Sequence, residues 1–217
     1  MLLEPHLKEV ELEQGAILQE QGELIERIYF PHSGMVSLLA VMQQGNAVET
    51  ATIGREGAVG AMSGLGPRHA FTRALVQMSG SASQIMTAKF QAVVAKSAAI
   101  RDIVVRHNEV LLAQVQQSAA CNALHEAEAR FCRWLLQSRD RSDSDVVPIT
   151  QEFVAQMLGV RRTTVTLVAQ SLQDAGLLRY RRGQIEILDR DTLEARACEC
   201  YGVVRRAIEQ YLPPAGP

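Results

Sequence analysis

The sequence predicts an α+β fold in three parts, and three observations carry that prediction. Glycines recur between short apolar runs through roughly the first 90 residues, a pattern of many short strands and turns. From Thr87 to Ser138 there is neither proline nor glycine. After that comes a glycine-hinged pair of short amphipathic segments, followed by an arginine-rich hairpin pattern.

Each part can be justified in order. In the first, Gly15, Gly22, Gly34, Gly45, Gly54, Gly57 and Gly80 separate runs such as Ile28-Tyr29-Phe30, Met35-Val36-Ser37-Leu38-Leu39 and Thr50-Ala51-Thr52-Ile53. Turn signals at this spacing predict a β-roll or barrel over residues 1–99, and Gln44-Gly45-Asn46 predicts a hairpin turn. The middle part is rich in alanine, glutamine, leucine and valine, mostly good helix formers. A short helix is expected over Lys89–Ala95 and one long helix over residues 100–138. A helix of that length outreaches a small domain, so it is expected to pair with a second copy of the chain. Ile103, Val110, Leu124 and Phe131 share a heptad register that Gln117 interrupts, with His107, Gln114 and Cys121 in the companion register. The charged run Arg139–Asp145 reads as a linker to the third part, residues 139–217.

In that third part Thr150 is a good N-cap for a helix over Gln151–Leu158. Gly159 supplies the left-handed turn, and a second helix is expected over Arg161–Ala175, closed by Gly176. Ala155 must be small where the helices cross, Gly159 follows four residues later, and Val165 lies six beyond it. This small–glycine–aliphatic spacing is that of a helix-turn-helix. Arg161, Arg162, Thr163, Thr164 and Thr166 then belong to the second helix, on or beside its outer side. Arginine can bridge guanine O6 and N7 in the major groove, and threonine can meet a thymine methyl or a phosphate. Arg162 is the first choice as base reader. Leu177–Leu188 alternates apolar and polar residues around Arg181-Arg182-Gly183, a basic-tipped wing whose arginines suit phosphate. Thr150 and Gln151, opening the first helix, can add phosphate contacts. A final helix is expected from Asp191 as N-cap towards Tyr211, ended by Pro213-Pro214.

Composition narrows the function. The 217 residues carry a net charge of −2, so a polyanion partner must be met by local charge. Between Ile149 and Gly183, five arginines face Glu152 and Asp174, a local excess of three. No apolar run reaches the roughly 18 residues a membrane span needs, and Met1–Glu13 is too charged for a signal peptide, so a reducing, cytoplasmic location is expected. Cys198-x-Cys200 alone is too sparse for a zinc site and reads as two thiols on a helix; no metal is expected. Cys121 and Cys132 read as buried, inert thiols. The glycine-rich 54–66 stretch lacks the Lys-Ser/Thr of a phosphate loop, and no catalytic constellation appears, so an enzyme is not expected.

These residues resemble the CRP/FNR family of bacterial regulators along nearly the whole chain. Gln21-Gly22-Glu23 and Ile28–Gly34 are similar to its early β-roll, and Ile53–Gly60 to its glycine-rich turn. Thr150-Gln151-Glu152, Leu158-Gly159-Val160, Arg162-x-Thr164-Val165, Leu172 and Gly176-Leu177 are similar to its helix-turn-helix. The resemblance implies an N-terminal cyclic-nucleotide-binding-like β-roll of the double-stranded jelly-roll kind and a long central dimerisation helix. It also implies a C-terminal winged helix-turn-helix that binds double-stranded DNA at a two-fold symmetric site. RNA polymerase is the expected further partner.

The departures concern the effector. Cyclic-AMP-binding members carry Gly-Glu where this chain has Gly60-Ala61, and an Arg-Ser phosphate clamp where it has Thr72-Arg73. Gln116-Gln117 stands in place of their adenine-reaching Thr-Ser. Cyclic AMP is therefore not the expected effector. No cysteine precedes Cys121, which argues against the FNR iron–sulfur mode, and haem ligation by His107 or Cys121 is not expected either. Thr163 and Leu167 replace the usual Glu and second Arg of the recognition helix, so a different target sequence is expected. The competing reading is a small-molecule-binding β-roll whose DNA-binding part is secondary.

Overall fold

The computed structural model describes residues 2–66, 68–142, 144–181 and 183–212. Its first part is a two-sheet antiparallel roll. Strands β1 (Lys8–Leu12), β2 (Ile17–Gln19), β3 (Arg27–Pro31), β4 (Met35–Val41), β5 (Ala47–Ile53), β6 (Arg73–Met78) and β7 (Gly80–Met86) divide into sheets of order β1-β7-β3 and β2-β6-β4-β5. The expected turn at Gln44-Gly45-Asn46 joins β4 to β5, with Gly45 at φ 85°. The turns β3–β4 and β6–β7 cross so closely that a Cβ on Gly34 would lie 2.5 Å from the Met78 carbonyl oxygen. Between the sheets pack Leu12, Tyr29, Val36, Ile53, Val59, Ala74, Val76 and Ala82. Alternate residues of each strand point inward, which is how the pattern of short apolar runs becomes a core.

Three helices follow: α1 (Thr87–Lys96), α2 (Ala98–Leu124) and α3 (Ala127–Ser142). The expectation of one unbroken helix over 100–138 is corrected here. His125 is extended, at φ −107° and ψ 144°, and divides α2 from α3. Helix propensity carries no sign of this break because neither proline nor glycine marks it; tertiary contacts override a good local preference. The proposed linker shrinks as well, since α3 runs on to Ser142 and Arg139 closes back on Asp145 at 2.8 Å.

The heptad register read from sequence is divided between the surface and the interior. Val110 is buried, whereas Ile103 and Leu124 of the same register are exposed; in the companion register His107 bonds to the Ala58 carbonyl at 2.9 Å and Gln114 to Thr52 at 3.2 Å. The stripe that α2 leaves exposed instead runs through Val105, Leu112 and Ala119, seven residues apart.

The third part begins with β8 (Val146–Pro148), α4 (Gln151–Leu158) and α5 (Arg162–Asp174). β9 (Leu178–Arg181) and β10 (Gln184–Ile187) complete a sheet of order β8-β10-β9. The single final helix expected from Asp191 is two: α6 (Arg190–Arg196) and α7 (Cys200–Tyr211). The N-cap of α6 is Asp189, whose carboxylate accepts from the Thr192 N–H at 3.0 Å. α7 runs antiparallel along α2, with Cys200 beside Gln117 and the Tyr211 carbonyl near Arg106. The expected stop at Pro213-Pro214 lies outside the described residues.

α3 joins the parts. From Phe131 to Ser138 every residue is buried, because one side meets the roll and the other meets the helix-turn-helix. Met35, Leu39 and Met78 of the roll share one core with Trp134, Leu136, Val154, Leu158, Val165 and Leu172. Three polar contacts cross or line this seam. The Trp134 Nε1–H donates to Glu49 Oε1 at 3.1 Å, and Ser37 lies 2.6 Å from Glu49 Oε2. Arg141 reaches Glu56 at 2.7 Å. Burial works to raise the Glu56 carboxyl, but the Arg141 guanidinium outweighs it and holds the group below its ordinary range. Glu49 behaves oppositely: burial outweighs Ser37, Arg133, Arg141 and Trp134 and pushes it up to about 7.

Two expectations follow from this seam. Folded Glu49 keeps its proton to a higher pH than the unfolded chain does. Its contribution is therefore complete below its ordinary range and is lost as pH rises through about 7. His107, which burial holds below its ordinary range, acts with the opposite slope at acid pH, so a difference measurement is needed. Glu49→Gln should gain about 2–3 kcal/mol relative to the parent between about pH 5 and pH 8, read from urea midpoints at each pH. Gly159 sits at φ 62°, and a Cβ there would lie 3.2 Å from the Val48 side chain at the base of the β4–β5 hairpin. Gly159→Ala should cost about 1–2 kcal/mol, measured as a lowered denaturation midpoint.

Candidate nucleic-acid interface

The helix-turn-helix is built as its residue spacing requires. Thr150 caps α4, its hydroxyl accepting from the Phe153 N–H at 3.3 Å. Gly159 ends α4 in the left-handed conformation, and its N–H returns to the carbonyls of Ala155 and Gln156. Val154, Ala155, Leu158, Val165 and Leu172 are buried, with Phe153 and Val168 packed against them. Arg130 of α3 donates to the Leu158 carbonyl and to Asn122 at 2.7 Å, tying the end of α4 back to α2.

This packing leaves one face of α5 outward. Arg161 (at the N-cap), Arg162, Thr163 and Thr166 are exposed, while Thr164 is half-buried. Arg162 is 69% exposed, and Glu152 lies 3.9 Å from it. Gln151 and Thr166 come together across the two helices, Thr166 Oγ1 lying 2.8 Å from Gln151 Oε1. Leu167 is 72% exposed on the same outward side, as is Gln170 one turn further. Gln170 was missed in the sequence reading; its recurrence three and seven residues after Leu167 and Thr163 is the signal that could have found it.

The wing forms from β9 and β10, paired Arg181 to Gln184 through Leu178 to Ile187. Arg181 is exposed at the tip, Gly183 has φ 77°, and Arg179 pairs with Glu186 across the strands at 2.9 Å. Arg182 lies outside the described residues.

Two further sites lie away from this surface. Within the roll, a cavity of about 230 Å³ is bounded by Ile25, Leu38, Ile53, Met62 and Leu111, with Gly60-Ala61 at its edge. No carboxylate is among its described lining residues. Arg73 is held by Glu20, Nε lying 3.0 Å from both carboxylate oxygens. That pairing holds the Glu20 carboxyl below its ordinary range. His107 and Cys121 lie at separate places along α2, His107 against the roll and Cys121 against Cys198, so they do not face one site.

The second site corrects the reading of the cysteines. Cys198 lies in the connection between α6 and α7, and Cys200 opens α7. They meet Cys121 and His125 from the far end of α2, and the four donor atoms lie within 4.8 Å of one another. The two halves of this set are some 70 residues apart in sequence and join only through the fold. Cys132 stands apart in the core around α3, where burial pushes its thiol up to about 12.

Comparisons with known proteins agree with this architecture. Residues 9–97 match the model of the cyclic nucleotide-binding domain, and residues 129–196 match that of the Crp-like helix-turn-helix domain. No curated protein matches the chain. Among solved structures, FixK2 of Bradyrhizobium japonicum superposes with a TM-score of 0.75 at 16% identity, over 88% of this chain and 98% of that one. A CRP-family transcriptional regulator of Thermus thermophilus gives 0.71 at 19% identity, over 87% and 96%. The c-di-GMP responsive regulator CLP of Xanthomonas campestris gives 0.69 at 16% identity, over 86% and 96%. No helix among the described residues is long and apolar enough to cross a membrane. With a cyclic-nucleotide-binding-type roll at one end and a Crp-like helix-turn-helix at the other, the chain belongs to the CRP/FNR family of transcriptional regulators.

Proposed function

We propose that the chain is a sequence-specific DNA-binding regulator that acts in the cytoplasm as a homodimer on a palindromic site. The outward face of α5 carries this reading: Arg161, Arg162, Thr163 and Thr166 stand free of the subunit's own core. Entering a major groove by its N-terminal end, α5 offers Arg162 to a guanine edge and Leu167 to a thymine methyl. Thr164 is the half-covered neighbour that steadies this end. Thr150, Gln151, Arg181 and Arg182 meet phosphates from either side and fix the register. In this division of labour residues 1–99 sense, 100–138 link and dimerise, and 139–217 read DNA. RNA polymerase is the partner through which such a regulator acts, and the chain has no enzymatic role.

The second copy is proposed to lie against α2. Val105, Leu112 and Ala119 repeat every seven residues and remain exposed, which is the seam of a two-helix coil. Two-fold symmetry would then set the two α5 helices about 34 Å apart, one turn of duplex.

The effector of this regulator is not cyclic AMP. Among its described lining residues the cavity offers no carboxylate for a ribose hydroxyl; Arg73 of the altered clamp is committed to Glu20, and the arginine that does line the cavity, Arg68, stands outside that clamp. A small, largely apolar ligand suits the remaining space.

Arg162→Ala should lower affinity for the selected site about 5–150-fold while leaving non-specific binding nearly unchanged, as read by gel shift at fixed salt. Full retention of specific affinity would overturn the reading. Leu112→Asp should convert the dimer to monomer in sedimentation at micromolar protein. A parent chain that is already monomeric under those conditions would remove the two-fold model.

A further inference from the structure

We propose that Cys121, His125, Cys198 and Cys200 form a structural zinc site that staples the end of α2 to the α6–α7 connection. This inference does not depend on how α5 meets DNA. Its first support is geometry. Cys121 and Cys198 bring their sulfurs to 3.5 Å, and Cys200 Sγ lies 3.4 Å from His125 Nδ1. A tetrahedral zinc with Zn–S near 2.3 Å and Zn–N near 2.0–2.1 Å has edges of roughly 3.8 Å between sulfurs and 3.6 Å from sulfur to nitrogen. The two close pairs stand near those edges, and all four donors lie within 4.8 Å of one another. A set this tight encloses one ion and leaves no room for a polynuclear cluster. Four protein donors close the coordination shell, which is the pattern of a structural site.

The surroundings supply what a ligand set needs. Zinc-bound histidines usually give their other ring N–H to a carboxylate, which fixes the ring. With His125 Nδ1 turned to the sulfurs, Nε2 lies 3.2 Å from Glu199 Oε2. Glu199 is the residue between the two cysteines of Cys198-x-Cys200, so one short segment delivers two ligands and the support for a third. Gln117 Nε2 donates to Cys200 Sγ at 3.0 Å, a bond that favours thiolate character.

Charge supports the same conclusion independently. Arg130 and Arg133 are buried at 7% and 8% exposure, and each keeps a buried Nε without a hydrogen-bond partner. Neither is held in a salt bridge among the described residues; the charge of both bears on Cys121, and that of Arg133 also bears on Glu49. Buried cations without a salt-bridge partner are costly. Three thiolates around a dication carry a net charge of −1, which places the missing counter-charge beside them. Binding releases the thiol protons to solvent as the three Zn–S bonds form, with no change in oxidation state.

The site would also explain the break between α2 and α3, because His125 leaves the helix where it turns towards the thiols. Arg130 then relays that position to the last carbonyl of α4. The ion would fix the frame from which the helix-turn-helix hangs.

The test uses the full chain, purified reduced and without a metal-chelating tag. Elemental analysis should find about one zinc per chain. Chelator-treated protein titrated with Co²⁺ should show the ultraviolet sulfur-to-cobalt band and the strong visible bands of a tetrahedral thiolate site. The double variant Cys198→Ser, Cys200→Ser should lose both, whereas Cys132→Ser keeps both. Glu199→Gln should keep the cobalt bands and weaken affinity about 10-fold or more. Should the double variant fail to fold, the parent chain still decides the matter through its zinc content and its cobalt spectrum. A reduced, folded parent chain without the cobalt–thiolate band overturns the proposal. So does zinc retained by the folded double variant, or isolation of the metal-free chain with Cys121 and Cys198 joined as a disulfide.

Discussion

The molecule is organised around the complete burial of Phe131–Ser138, the middle of α3. A stretch covered on every side keeps water from its polar groups, and it has no free face along which to slide. Trp134 fills the centre of the seam and its indole N–H is pinned by Glu49 of the roll, while Arg141 is pinned by Glu56. Removing one partner of such a buried pair leaves the other exposed to the full desolvation cost. The roll and the helix-turn-helix are therefore not two bodies on a tether. They share one core, and a displacement of β4 or β5 is felt at α3.

Much of this was legible in the sequence, and the legible parts have local causes. Thr150, Ala155, Gly159 and Val165 each answer a constraint set within a few residues: a cap, a crossing, a left-handed turn, a buried contact. The glycine-separated runs of the roll are of the same kind, since turn chemistry and alternation are written residue by residue. The unreadable parts have non-local causes. His125 breaks a helix that propensity would continue. The companion register of α2, at His107 and Gln114, is consumed by Ala58 and Thr52 of the same chain. Cys198-x-Cys200 becomes a four-donor cluster only when α7 lies back along α2.

The interface was legible in the same uneven way. The outward arginines and threonines of α5 follow from helical periodicity once Val165 and Leu172 are placed inside. Gln170 follows from the same periodicity. The cavity of the roll follows from nothing local, because strands distant in sequence and α2 close it together. Its altered chemistry was visible as Ala61 in place of a carboxylate. The engagement of Arg73 by Glu20 was not, since the two lie 53 positions apart.

The contact between Gly159 and Val48 has a consequence for how such chains can vary. Surface hairpins usually tolerate added or deleted residues. Here the base of the β4–β5 hairpin touches the pivot of the DNA-reading unit, with no side chain on the glycine to act as a cushion. The reach of that loop is thus a spacer whose length is tied to the tilt of α5. Lengthening it would re-aim the outward arginines without altering a single residue of the helix that bears them.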